Sequence, residues 1–279
     1  MSLDDKIKEK ADFDDVVNGV IDRALDIEGE YDKIYIDINS VVSIMFRADN
    51  INSQKIVETT YKSFERLLTK YANRNTEIIV LFSTVKSEYH CNIYEDWCKK
   101  RYDRVDLNKS QGMKELIFSL KKFSEQNKLV RVINTKEFHP AIIVKYLEDG
   151  FKNRFVVISK DTVFYAMEMS HGSQFTGSIY IDYDVDTAVL SDIHKDVDMK
   201  RNMIKFYYAI CGDNRNEFPG ISGYGPNKSI KYLRTNKLEI EADLDHQYKE
   251  WFDKYSKLYD VSNMLMTVDK EKLNKIIEI

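Results

Sequence analysis

Hydrophobic positions change period several times along this chain. Lys33-Ile-Tyr-Ile-Asp-Ile38 is apolar at nearly every position, the mark of a strand buried on both faces. Glu77-Ile-Ile-Val-Leu-Phe82 and the runs at 129–133 and 154–159 have the same character. Between and after them, apolar residues three and four apart predict helices around 40–47, 53–73, 111–126, 137–149 and 161–169. Buried strands alternating with helices predict an α/β fold, a three-layer domain with a mostly parallel central sheet. The strand pattern ends near Tyr180-Ile-Asp-Tyr183, and beyond residue 195 only helical spacing remains. Phe13, Val16, Val17, Val20, Ile21 and Leu25 give residues 1–30 a helical period of their own. The expected organisation is a helical extension over 1–30, an α/β domain over 31–190 and a helical region over 191–279. The longest apolar runs fall far short of the roughly 20 residues of a membrane span. The start of the chain lacks the basic and apolar regions of a signal peptide, so a cytoplasmic location without membrane contact is expected.

Composition agrees with a globular reading: 43% of the 279 residues are hydrophobic and 32% charged, which suits one large core or two modest ones and excludes disorder. Cys91, Cys98 and Cys211 form no Cys-x-x-Cys pair and are odd in number, so three free thiols in a reducing compartment are expected. The formal net charge of −4 hides an asymmetry, because residues 1–33 hold eleven acidic and five basic side chains. Residues 200–237 hold eight basic side chains against Asp213 and Glu217 alone, the electrostatic footprint expected for a polyanion. Taken without context, such a run is also what a solvated helix surface looks like.

That basic stretch contains the chain's densest punctuation. Gly212 to Lys228 holds four of the ten glycines and two of the three prolines. Glycines at 220, 223 and 225 before a cationic helical pattern let the backbone bend tightly and bring amides close to a bulky anion, which points to phosphate.

In a parallel sheet, ligands bind beyond the carboxyl ends of the strands. Asp37 ends the first strand pattern, Glu137 begins the helix after the third, Asp161 follows the fourth, and Asp213 stands at the threshold of the glycine loop. Four carboxylates converging there would need pairing, hydrogen bonds or a hard cation, with Mg²⁺ or Mn²⁺ suited to phosphodiester hydrolysis. Taken singly, Glu137 and Asp161 are equally well read as acids favoured at helix N-termini.

With these segments in place, the chain resembles the flap endonuclease and 5′ to 3′ exonuclease family, especially phage replication nucleases and the 5′ nuclease domain of bacterial DNA polymerase I. Tyr35-Ile-Asp-Ile-Asn39 mirrors the family's strand-end aspartate segment, and Phe46-Arg-Ala48 its following arginine, Arg47. Gly212 to Gly225 mirrors a Gly-Asp-x-x-Asp-Asn-x-Pro-Gly-x-x-Gly-x-Gly segment without a gap. Phe82 to Arg101 keeps the spacing to an aromatic stretch with Ile93, Tyr94 and Trp97. The resemblance covers roughly 31–265. It implies a PIN-like nuclease domain, a helical arch at about 86–108 and a helix-three-turn-helix module at about 205–235. It also implies a potassium ion at Gly220, Gly223 and Gly225 that bridges to duplex phosphates, with Lys228, Lys231 and Arg234 adding phosphate contacts. In the arch, Tyr89, Tyr94, Trp97 and Tyr102, interleaved with Lys99, Lys100, Arg101 and Arg104, suit a segment that stacks bases and neutralises phosphates along a single strand, and the aromatic residues are read equally well as packing. The aromatic residues at 248, 251, 252 and 255 are expected in the core.

The family binds two divalent cations through seven to nine carboxylates, and this chain departs from that set. Ser83, His139, Pro140, Val163 and Asn216 stand where acids are expected, and Cys98 stands where the family has an arch lysine. Asp37, Glu137, Asp161 and Asp213 remain, and His139 reads either as a further ligand for a softer metal such as Mn²⁺ or, standing before a proline at a helix start, as a structural residue. The leading expectation is a protein that binds branched or 5′-ended DNA with cleavage weakened or lost, in a setting such as phage replication. The first alternative is an active one-metal 5′ nuclease acting on flaps, ends or RNA primers in RNA–DNA hybrids. The second is an interaction protein that recruits a protein partner through residues 1–30.

Overall fold

The computed structural model describes residues 29–43, 53–71, 74–83, 87–95, 107–150, 153–159, 161–167, 174–179, 204–213, 218–235 and 246–277. Five strands form one sheet in the order β3-β2-β1-β4-β5, every pair parallel: β1 Lys33–Asp37, β2 Glu77–Phe82, β3 Val130–Asn134, β4 Arg154–Ile158 and β5 Gln174–Ile179. Helices α1 Ile38–Ser43 and α2 Ser53–Tyr71 lead to β2, and α3 Glu88–Ile93 and α4 Leu107–Gln126 lead to β3. Helix α5 Pro140–Glu148 then crosses to β4, and the short α6 Val163–Ala166 precedes β5. Beyond the sheet come α7 Ile204–Cys211, α8 Pro226–Thr235, α9 His246–Tyr255, α10 Val261–Thr267 and α11 Lys270–Ile277.

The near-continuous apolar strands have the physical meaning expected of them, burial on both faces. Ile34 and Ile36 of β1 pack with Phe64 and Leu67 of α2 and Leu116 and Leu120 of α4. Tyr35, between them in sequence, points to the opposite core, where Ile142, Tyr208, Ile210, Met264 and Leu273 cover the sheet. The helices after residue 204 therefore complete the third layer. Tyr255 belongs to this core, with Trp251 packed against it, as the aromatic spacing of α9 predicts.

Three local expectations change. The helix placed at 137 begins at Pro140, whose fixed φ suits a first helical position, and His139 caps it by accepting the Ala141 N–H. Glu137 lies in the preceding turn, where Lys136 has φ 50°. Strand β5 lies ahead of the apolar run expected to close the sheet. Cys91 is disulfide-bonded, whereas Cys211 is a free thiol. The absence of a Cys-x-x-Cys spacing argues against a redox motif or zinc site, but it does not bear on pairing at other separations.

At the amino-terminal edge of the sheet, Glu148 is fully buried yet well satisfied. Its Oε1 accepts from Lys33 Nζ at 2.7 Å and from the Tyr35 hydroxyl, and its Oε2 accepts from Asn153 Nδ2 at 2.9 Å. Burial and then the Glu148 charge push the Tyr35 phenol well above its ordinary pKa. One carboxylate thus ties β1, the end of α5 and the approach to β4. Removing it strands a buried tyrosine and a half-buried lysine without their partner, so Glu148→Ala should cost about 3–5 kcal/mol in urea denaturation. Tyr35→Phe, which leaves the Lys33 pair in place, should cost only about 1 kcal/mol. Equal losses for the two variants would contradict this assignment.

Candidate functional site

The chain runs outward from β1 through β2 to β3 and then returns to the other side of β1 as β4. The strand order therefore reverses between β1 and β4, and a crevice opens beyond their carboxyl ends. Asp37 is the last residue of β1, and Ser159 immediately follows β4. Ser159 Oγ donates to Asp37 Oδ2 at 2.9 Å and accepts the Asp161 N–H at 3.0 Å, so one hydroxyl ties two strand-end acids together. The Ser40 N–H approaches Asp37 Oδ1 at 3.3 Å. Asp37 is only 4% exposed. Burial, and then the charge of Asp161, push its pKa up to about 6 against the opposing pull of Ser159, His139 and Ser40.

Both Asp161 oxygens face nitrogen atoms. Oδ1 accepts the Val163 N–H at 3.0 Å, and Oδ2 lies 3.1 Å from His139 Nε2. His139 Nδ1 accepts the Ala141 N–H at 3.2 Å, which assigns the ring proton to Nε2 and makes His139 the donor to Asp161. The His90 ring lies 5.0 Å from it, held by Ser87 Oγ at 2.9 Å and the Leu258 carbonyl at 3.0 Å.

Asp213 plays a different part. It is buried, and its Oδ2 accepts from Thr162 Oγ1 at 2.5 Å and from the Tyr259 hydroxyl at 3.0 Å. Its backbone pairs with Phe218 through two hydrogen bonds of 2.7 and 2.9 Å. Asp213 is a joint between the glycine segment, the sheet end and the C-terminal helices. Glu137 is half-buried in its turn, where its carbonyl accepts the Glu88 N–H at 3.1 Å. Among the described residues, no group of three or more His, Cys, Asp or Glu side chains is arranged to hold a metal ion. Ser159 ties Asp37 to Asp161, while Asp213 is bound by Thr162 and Tyr259, and His139 takes the structural place at a helix start that was one of its two expected roles. Oxygen donors suit a hard cation, but with Asp161 facing two N–H groups and Asp213 facing two hydroxyls, the residues present do not fit a two-cation clamp.

Residues 218–225 make a tight turn into α8. Gly220 has φ 66°, and a Cβ there would lie 2.3 Å from the Gly212 nitrogen and 2.6 Å from the Ile210 carbonyl oxygen. Its lack of a side chain lets the turn pass against the end of α7, where the Ile221 N–H bonds to Ile210 O at 2.8 Å. Gly223, at φ 82°, faces open space, and the Gly225 carbonyl accepts the Ser229 N–H at 3.0 Å in the first turn of α8. Lys228 and Lys231 are exposed on that helix, with Lys228 Nζ 4.1 Å from the centre of the Tyr224 ring. Arg234 lies on the same helix, its side chain outside the description. Lys205, counted in the basic stretch, pairs with Asp260 at 3.1 Å. Tyr94 packs edge-on against Phe218 and Tyr255, and the Tyr89 hydroxyl accepts from Asn263, so both read as packing. Arg47, Trp97, Lys99, Lys100, Arg101, Tyr102, Arg104 and residues 1–28 lie outside the described residues.

Sequence reasoning missed Ser159, Thr162 and Tyr259, the hydroxyls that hold the acids. Only Ser159 carried a signal, its place directly after a buried strand.

No protein-family model matches this chain, and no curated protein sequence does. Solved structures do. The 5′-exonuclease of bacteriophage T5 with bound zinc ions is 16% identical, with a TM-score of 0.60 over 88% of this chain and 96% of its own. The T5 flap endonuclease, solved as a pseudo-enzyme complex with product DNA and metal ions, is 15% identical, with a TM-score of 0.59 and the same coverage. A third T5 structure, crystallised with metal ions, is 17% identical, with a TM-score of 0.58 over 88% of this chain and 97% of its own. At such identities the likeness is one of architecture: this chain has the PIN-like fold of the bacteriophage T5 flap endonuclease, a parallel sheet with helices on both faces.

Proposed function

We propose that this protein binds branched or 5′-ended DNA on a 5′-nuclease scaffold and that its divalent-metal phosphodiester hydrolysis is weakened or lost. The observation that carries this reading is a contrast between the glycine turn and the strand-end acids. The glycine turn is formed and leads into a helix with Lys228 and Lys231 exposed, whereas the two acids that meet, Asp37 and Asp161, already face Ser159, Ser40, Val163 and His139. The T5 flap endonuclease structure contains DNA together with metal ions, and the DNA half of that pairing is the one this chain's residues favour. Lysines on a helix surface contact phosphate without reading sequence, so recognition here is of duplex shape and charge. Mg²⁺ and Mn²⁺ are the metals against which loss of cutting is judged.

Binding of a labelled 5′-flap duplex should weaken linearly in log–log form as salt rises, and Lys228→Ala and Lys231→Ala should each reduce the slope by about one. Lys205→Ala, whose partner is Asp260, should leave the slope unchanged. Affinity independent of salt would remove the DNA reading.

Incubated with Mg²⁺ or Mn²⁺, the same flap should stay intact over a period in which the T5 flap endonuclease digests it. Cleavage that Asp37→Asn and Asp161→Asn both abolish would establish an active nuclease instead.

Measured without divalent metal, the buried acidic pair also carries a stability cost. The native Asp37 carboxyl titrates near 6 against 3.8 for an unperturbed aspartate, so between those values the folded state binds more protons than the unfolded one. Stability therefore falls as pH rises through that window, by up to roughly 3 kcal/mol. Asp37→Asn escapes this loss. Its melting temperature without divalent metal should exceed that of the parent protein at pH 7 by more than at pH 4, and a pH-independent difference would contradict the assignment.

A further inference from the structure

We propose that His139 closes the acidic pair to divalent cations by pointing an N–H at the Asp161 oxygen that a cation would need. The proposal rests on the DNA-binding reading above for its context, but it concerns metal binding alone.

Three constraints fix the ring. As the residue before Pro140, His139 has extended backbone and serves as the N-cap of α5, with Nδ1 accepting the Ala141 N–H at 3.2 Å. That bond commits the Nδ1 lone pair and leaves the proton on Nε2. The ring is 6% exposed and packs between His90, at 5.0 Å and 39°, and Phe164, at 6.1 Å and 54°. Held this way, Nε2–H meets Asp161 Oδ2 at 3.1 Å.

The consequence follows from which end of the dipole faces the carboxylates. A cation between Asp37 and Asp161 would meet the positive edge of the imidazole where it requires another negative oxygen. Nor can His139 become a ligand while these bonds last, because its proton-bearing nitrogen faces Asp161 and its other nitrogen holds the helix cap. Ser159 and the Val163 N–H complete the arrangement, giving the pair donors without adding a negative charge. Protein donors thus meet both carboxylates, and His139 supplies the one that a single substitution converts into an acid.

Aspartate is as good an N-cap as any residue, so His139→Asp should keep the start of α5 while reversing the charge presented to Asp161. Mn²⁺ binding to the full chain, without DNA, is read by titration calorimetry and by Mn²⁺ electron paramagnetic resonance. The expected result is at least ten-fold tighter Mn²⁺ binding for His139→Asp than for the parent protein, with the gain lost when Asp161→Asn is added. His139→Ser, a second cap-preserving change that removes the ring and adds no charge, should gain at least about three-fold and serves if the aspartate variant does not fold. Parent protein that binds Mn²⁺ as tightly as the variants, or a gain that survives Asp161→Asn, would overturn the proposal. So would the absence of any gain in a folded variant. Flap binding without metal is measured separately, so failure of the DNA reading and failure of this proposal give different results.

Discussion

Asp37 has to sit at the carboxyl end of β1, because the sheet reverses direction of growth between β1 and β4 and any ligand crevice opens there. Burying a carboxylate beside a second one is unfavourable unless something answers both charges. Here the answer comes from within the chain: Ser159 bridges the two acids, the Ser40 and Val163 amides approach them, and His139 donates from the neighbouring helix start. Each of these donors is delivered by the end of an element, so the elements that meet around the crevice are held in place by the same charge. At Asp37, burial and the Asp161 charge outweigh these donors and push the carboxyl up to about 6.

A third carboxylate, Asp213, carries this order to the glycine segment and the helix that follows it. Thr162 follows Asp161 directly, and its hydroxyl binds Asp213, which opens the glycine segment. Tyr259 binds the same oxygen from the C-terminal side, stacked on Tyr208 of α7 at 5.0 Å. The turn leading to Lys228 and Lys231 is therefore anchored one residue away from the acidic pair. The groups that hold the turn are hydroxyls, glycines and aromatic rings, none of which needs a metal.

Much of the fold was legible in the sequence because it depends on local periodicity. Strands β1, β2 and β4 are buried on both faces and read as continuous apolar runs, and the spacing of Trp251 and Tyr255 marked α9 as core. The strand-end positions of Asp37 and Asp161 were legible for the same reason, since both stand where such runs end. The donors were not, because sequence separations of 122 residues for Ser159 and Asp37, or 51 for Thr162 and Asp213, are closed only by the tertiary fold. His139 was visible as a departure from the nuclease pattern, but its role depended on a capping bond that settles which nitrogen carries the proton. Glu137 was misplaced by three residues because Pro140 marks the helix start more strongly than the acid does. Gly220 was read as an approach to phosphate, whereas its lack of a side chain first serves the contact with the end of α7.

The central claim is that this scaffold holds DNA while its acids are answered by the protein itself. It is tested most directly by a crystal structure of the full chain with a 5′-flap duplex in Mn²⁺. The account predicts intact DNA with duplex phosphates along the turn and helix at 223–231, His139 Nε2 still bonded to Asp161, and no manganese between Asp37 and Asp161. A manganese ion bridging those two carboxylates beside a cut strand would contradict it.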